Sequence, residues 1–227
     1  MVSREEPSPP VLYRAKRKAE GGLIGAGANR VKETTLMKVV AFSGSARKDG
    51  NTAILVREVF RALEAEGIET ELVQLAGEQV RGCTACMRCM KDQNRQCAVE
   101  DDVVNDCIAK MDGADGILLA SPTYFADVSS EMKALMDRAG FVAMANGGML
   151  RRKVGAAVVA VRRGGAIHAF DTMNHFFFIS EMVVPGSSYW NVGIGLDRGD
   201  VRGDEEGLRT MRVLGENMAW VMKRLYG

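Results

Sequence analysis

From Met37 onward the chain alternates short apolar runs with stretches in which apolar residues recur every three or four positions. "KVVAFSG" (38–44) reads as a strand, and Leu55, Val56, Val59, Phe60 and Leu63 give the helix behind it one apolar face. "TELVQL" (70–75) is the second strand. A long non-periodic segment follows, and then Val103, Val104, Cys107, Ile108 and Met111 mark a helix. "DGILLASP" (115–122) is the third strand, "SSEMKALMDRAGFV" (129–142) a helix and "KVGAAVVAV" (153–161) the fourth strand. "AFDTMNHFFFISEM" (169–182) predicts another helix and "MVVPGSSYW" (182–190) the fifth strand, and the last helix carries Leu208, Met211, Leu214, Met218, Val221, Met222 and Leu225. Near-continuous apolar strands belong to a parallel sheet covered on both faces. Five of them separated by helices predict one doubly wound α/β domain over 37–227. Residues 1–36, interrupted by "EEPSPP" and "GGLIGAGAN", lack sustained periodicity and read as an N-terminal extension.

A ligand of such a sheet binds beyond the carboxyl ends of its strands, where the strand order reverses. The loops after strands one, three and four are therefore the ones to question. The first, "SGSARKDGNT" (43–52), matches neither the G-x-G-x-x-G of dinucleotide folds nor the G-x-x-x-x-G-K-[ST] of nucleotide hydrolases. It offers hydroxyls, backbone amides and Arg47 at a helix start, where unpaired N–H groups and the helix dipole favour a phosphate. Asn51 or Thr52 can cap the helix as well as bind. "SPTYFADVSSEMKALMDR" (121–138) and "VRRGGAIHAF" (161–170) follow strands three and four.

The segment after strand two is chemically the densest. "RGCTACMRCMKDQNRQCAVEDD" spaces Cys83, Cys86 and Cys89 as C-x2-C-x2-C, with Cys97 beyond a gap of seven residues. Tight spacing of this kind lets successive thiolates converge on one cubane, with a fourth from a following turn. Tetrahedral zinc and free redox-active thiols are the other readings. Cys107 falls on a helix's apolar stripe and reads as core. His168 and His175 have no partner at a recognisable spacing and read as structural, and "DRGDVRGDEEG" (197–207) reads as a solvated loop and helix start.

The first loop closely resembles the S-x-R-x-x-G-N-T loop of the flavodoxin-like, NAD(P)H-dependent FMN reductase superfamily, and 121–138 resembles its S-P-x-Y-x-x-x-x-S-x-x-x-K-x-x-x-D-R pattern. The resemblance implies a flavodoxin-like five-stranded parallel sheet, order 2-1-3-4-5, with a cysteine-rich insertion at 76–101. Ser43, Ser45, Arg47, Asn51 and Thr52 would hold the FMN phosphate. Pro122, Thr123, Tyr124 and Phe125 would lie along the ring and ribityl chain. Arg162, Arg163, Gly164 and Gly165 resemble the R-x-G-G loop of iron–sulfur flavoproteins, where an Arg beside the ring would stabilise reduced flavin. The cysteine run, with Asp101 and Asp102 behind it, looks like the same branch, in which Cys83, Cys86, Cys89 and Cys97 would bind a [4Fe–4S] cluster. The implied activity is transfer of electrons from NAD(P)H through FMN to an acceptor, with no side chain obliged to act as acid or base. A homodimer or homotetramer is expected. A flavodoxin-like electron carrier and a cysteine-based redox sensor are the alternatives.

Composition narrows the partners. Lys and Arg number 30 against 29 Asp and Glu, a formal charge of +1, which gives no overall attraction to nucleic acid or an anionic membrane. No apolar run approaches the roughly 18 residues that span a bilayer. The polar N-terminus lacks a signal core, and the odd cysteine count fits a reducing compartment, so the cytoplasm is expected.

Overall fold

Five parallel strands form one sheet in the order β2-β1-β3-β4-β5: β1 Lys38–Ser43, β2 Glu69–Gln74, β3 Gly116–Pro122, β4 Val154–Val161 and β5 Val192–Ile194. The computed structural model describes residues 36–227. The extension expected over 1–36 thus lies, apart from Leu36, outside the described residues. Alternation within each strand divides the core in two. Val40, Phe42, Ile117, Leu119, Ala157 and Val159 face α3 (Val104–Gly113), α4 (Ser130–Ala145) and α5 (Ala166–Ile179). Val39, Ala41, Leu118, Ala120, Ala156 and Val158 face α1 (Asn51–Ala65) and α6 (Glu205–Tyr226). The fold is therefore doubly wound as the periodicity predicts, and the strand order reverses between β1 and β3. Cys107 is buried in the first of these cores, where burial pushes its thiol up to about 12.

The fifth strand is displaced from its predicted place. Over 182–190 only Val183 meets the sheet, as a single bridge to Val154. Pro185 lacks a backbone donor and ends that pairing. The chain loops away and returns at Asn191, whose side-chain amide donates to the Ala157 carbonyl at 2.9 Å, and then pairs Val192–Ile194 with the top of β4. The strand that matters to the site is this return, because it carries Gly195 and Leu196 to the carboxyl end of the sheet.

Two helix caps serve the same end. Ser129 Oγ accepts from the Met132 N–H at 3.2 Å to start α4, while the Ser129 N–H donates to Ser121 Oγ at 2.9 Å, tying the helix start to the end of β3. Asp204 caps α6 through the Gly207 N–H and accepts from the Ile194 N–H at 2.7 Å, fixing β5 to that helix. The insertion between β2 and α3 holds only the short α2 (Arg88–Asp92), and several of its residues, Ala85, Met87, Gln93 and Arg95, take left-handed backbone angles. Among the described residues no helix is long and apolar enough to cross a membrane.

Candidate functional site

The loops after β1, β3 and β4 converge on one pocket at the switch point. Ser45, Arg47, Asn51 and Thr52 line it from the first, Pro122, Thr123 and Tyr124 from the second, and Ala160 and Arg162 from the third. Gly195 and Leu196, beyond β5, complete it. The helix α1 starts at Gly50 with no side-chain cap and no acidic residue in its first turn, so its unpaired N–H groups and positive dipole end face the pocket unneutralised. Ser45 Oγ accepts from the Arg47 N–H at 3.2 Å and shapes the turn. Arg47 Nη1 reaches across to the Leu196 carbonyl at 3.0 Å.

Asn51 has a different engagement from the one expected of a ligand. Its amide donates to the Asp197 carbonyl at 2.9 Å and accepts from the Gly199 N–H at 2.8 Å. Both polar atoms are occupied in clasping the loop after β5. The start of that loop, which reads in sequence as solvated over 197–207, is thereby held behind Gly195 and Leu196, which line the site. Nothing in its composition signals the contact, which depends on where β5 re-enters the sheet.

The second wall is locked by close approach. Phe125 and Ala126 both take left-handed angles (φ +47° and +63°), and Tyr124 and Asp127 bridge across them. Gly165, with φ +86°, starts α5 against this turn, and a β-carbon there would lie 2.9 Å from Ala126 Cα. Asp127 is a latch the sequence does not reveal. It accepts from the Val128 N–H and Thr172 Oγ1, each at 2.8 Å, and pairs with His168 at 3.4 Å, which gives that histidine a carboxylate partner. Burial alone would raise the Asp127 carboxyl, but the Val128 N–H and the Thr172 hydroxyl outweigh it and hold it below the usual range. Of the other expected residues, Ser43 is buried at the end of β1, Phe125 points fully into solvent, and Arg163 and Gly164 are exposed outside the lining.

One atom shows what the pocket lacks. Thr123 Oγ1 is buried and has no hydrogen-bond partner. Buried hydroxyls are normally paired, and within the protein this one has no partner, at the wall of the pocket. Thr123→Val should leave the stability of the ligand-free protein within about 0.5 kcal/mol, because no bond is lost. It should weaken flavin binding by about 0.5–1.5 kcal/mol, a few-fold in Kd by fluorescence titration.

A second pocket is ringed by Cys83, Cys86, Cys89 and Cys97, with Arg138, Phe141 and Val142 of α4 as its floor. All four thiols are free, Cys83 and Cys86 exposed, Cys89 and Cys97 half-buried. Asn105 Oδ1 accepts from the Cys97 N–H at 2.8 Å and its amide donates to the Cys97 carbonyl at 3.0 Å, so the last cysteine is fixed to α3. The Arg88 backbone N–H and the Thr84 hydroxyl hold the Cys86 thiol below its ordinary range, whereas burial pushes that of Cys89 up. Among the described residues no three His, Cys, Asp or Glu side chains are drawn close enough to hold a single metal ion.

A parallel sheet of this order with an uncapped helix start at its switch point defines a flavodoxin-like α/β protein. Solved structures share the fold: a WrbA-like flavodoxin from Agrobacterium tumefaciens superposes with TM-score 0.59 at 16% identity, over 84% of this chain and 99% of that one. RosB, solved with a bound 8-demethyl-8-formylriboflavin-5'-phosphate intermediate, gives 0.66 at 18% identity, over 83% and 80%. The chain belongs to the NADPH-dependent FMN reductase family, whose pattern matches residues 37–197. It is 42% identical to an iron–sulfur flavoprotein of Methanocaldococcus jannaschii over 194 residues, 82% of this chain and 98% of the relative. An iron–sulfur flavoprotein of Archaeoglobus fulgidus is 30% identical over 197 residues, 83% and 99% respectively. The family is one of flavin-dependent oxidoreductases.

Proposed function

We propose that the protein is an NAD(P)H-dependent FMN oxidoreductase that passes electrons to an acceptor by way of a [4Fe–4S] cluster. The observation that carries the flavin half is the meeting of three strand-end loops in one pocket, with an uncapped helix start on one side and the unpaired Thr123 hydroxyl on the other. Ser45, Arg47, Thr52 and the first N–H groups of α1 would hold the phosphate, with Asn51 keeping the loop after β5 closed over them. Pro122, Thr123 and Tyr124 would lie along the ribityl chain and ring. Arg162 places a positive charge at the end of β4, where it would favour the reduced ring. Bound FMN supplies the hydride-accepting ring and can release electrons singly. No side chain in the lining is needed as acid or base.

The cluster half is supported by the four-cysteine pocket and by the iron–sulfur flavoproteins among the relatives. Cys83, Cys86, Cys89 and Cys97 would hold a one-electron centre. The helix α4 joins the two sites: its cap belongs to the loop of the first pocket, and Arg138, nine residues beyond Ser129, reaches the second, about 13 Å along the axis. A homodimer or homotetramer in the cytoplasm completes the reading.

An anaerobic titration tests it. NADH or NADPH should bleach the flavin band of the purified protein within the mixing time or a few turnovers, and iron and acid-labile sulfide should each approach about four per chain. Flavin that neither nucleotide reduces would mark an electron carrier instead of a reductase. Flavin reduction without iron and sulfide would leave the reductase and remove the cluster.

A further inference from the structure

Arg138 is only 1% exposed, yet it carries a full charge, and its side-chain hydrogen bonds all end on the cysteine insertion and its exit. Nε donates to Cys97 Sγ at 3.2 Å, Nη1 to the Arg81 carbonyl at 3.2 Å and to the Asp102 carboxylate, and Nη2 to the Val99 carbonyl at 2.7 Å. Asp102 is enclosed as well and accepts from the Arg81 N–H at 2.8 Å and the Val104 N–H at 3.1 Å. Removing two charges from water is costly, and neutral donors could fasten the same loop. What a guanidinium adds is positive charge beside one particular sulfur in a setting of low dielectric, where charge acts strongly.

We propose that Arg138 is a positioning residue that fixes Cys97 as the fourth cluster ligand and raises the cluster's reduction potential, while Asp102 sets how much of that charge the cluster feels. The inference rests on the reading of the cysteine pocket as an iron–sulfur site. Reduction adds one negative charge to the cluster and its thiolates. A donor on a ligand sulfur and a nearby cation stabilise the reduced form more than the oxidised one. A carboxylate next to that cation acts in the opposite sense. The two residues should therefore move the potential in opposite directions when each is neutralised, which a purely structural role would not do.

The test is an anaerobic redox titration of the intact holoprotein, followed by the electron paramagnetic resonance signal of the reduced cluster, with iron and sulfide measured on each sample. Arg138→Lys keeps a charge but not the Nε contact, Arg138→Gln removes the charge, and Asp102→Asn removes the counter-charge. Both Arg138 variants should lower the potential and Asp102→Asn should raise it, the Gln and Asn variants by at least tenfold in the reduction equilibrium, about 59 mV for one electron. Shifts in the same direction, or none beyond twofold in any variant with its cluster intact, would overturn the tuning while leaving the cluster reading in place. Absence of iron and sulfide from the wild-type protein would overturn both. If the Arg138 variants keep FMN but lose iron, Asp102→Asn decides alone, an upward shift supporting the proposal and any other result rejecting it. Loss of iron from all three with FMN retained would overturn the tuning, leaving Arg138 to hold the insertion only.

Discussion

Gly44→Ala is expected to lower stability by about 2–4 kcal/mol and to weaken flavin binding by about tenfold or more. The added methyl would stand 2.5 Å from Ser129 Oγ and 2.8 Å from Met132 Cβ. Neither neighbour can easily yield. Ser129 is the cap of α4, Met132 is packed in the core of that face, and Gly44 itself is held by its N–H to the Ala120 carbonyl at 2.8 Å. Relief requires β1 and the start of α4 to part, which combines overpacking of about 1–3 kcal/mol with loss of a cap of about 1 kcal/mol. The same separation spreads the loop after β1 from the Pro122–Tyr124 loop, so affinity falls together with stability. Urea unfolding and FMN fluorescence titration measure the two effects. Ser129→Gly in the same chain should recover part of both, since Gly is tolerated at a cap for a few tenths of a kcal/mol. An unfolding midpoint equal to wild type in Gly44→Ala would show that the loops after β1 and β3 are not set by this contact.

How much of this could be read from the residues depends on whether the information is local. Strands β1, β3 and β4 are buried on both faces, so their apolar runs are continuous and visible, and the polar loops that follow them announce themselves. The cysteines are legible for the same reason, because a tight C-x2-C-x2-C spacing is a local fact. β5 is not local in this sense. Its three-residue pairing with β4 follows an excursion through Pro185 and Gly186, and Val183 and Val184 read as a strand although only Val183 bridges. The wall it delivers, Gly195 and Leu196, therefore could not be seen, nor could the clasp by which the Asn51 amide, itself in the pocket lining, holds Asp197 and Gly199 behind it. Asp127 is hidden likewise, because its partners Thr172 and His168 lie 45 and 41 positions away and meet it only when α5 packs on the β3 loop. Arg138 is visible in the sequence as the last residue of the pattern over 121–138, with no role attached to it. Only the folded insertion shows that its whole guanidinium is enclosed.

That enclosure makes Arg138→Leu the substitution with the largest expected effect on stability, about 3–5 kcal/mol at neutral pH, because Asp102 would be left buried and charged without its cation. Replacing both partners, Arg138→Leu with Asp102→Leu, should recover much of the loss, since an apolar pair of similar volume can substitute for a buried ion pair. The penalty should also depend on pH, with a sign fixed by Asp102. Enclosure pushes its carboxyl up, but Arg138 and the N–H groups of Arg81 and Val104 outweigh that and hold it below the usual range. In the wild-type protein its contribution is thus complete above the unfolded value of about 3.9 and fades only as pH falls through the lower folded value. Without Arg138 the desolvated carboxyl has lost its main counterweight and protonates at higher pH. The gap between Arg138→Leu and wild type should therefore be widest near pH 7 and narrow toward about pH 5, where the protonated acid tolerates burial. Urea unfolding of both proteins at the two pH values reads this directly. A gap that stays constant would mean that Asp102 is not the group left stranded, and a gap below about 1 kcal/mol at pH 7 would mean that solvent reaches the pair.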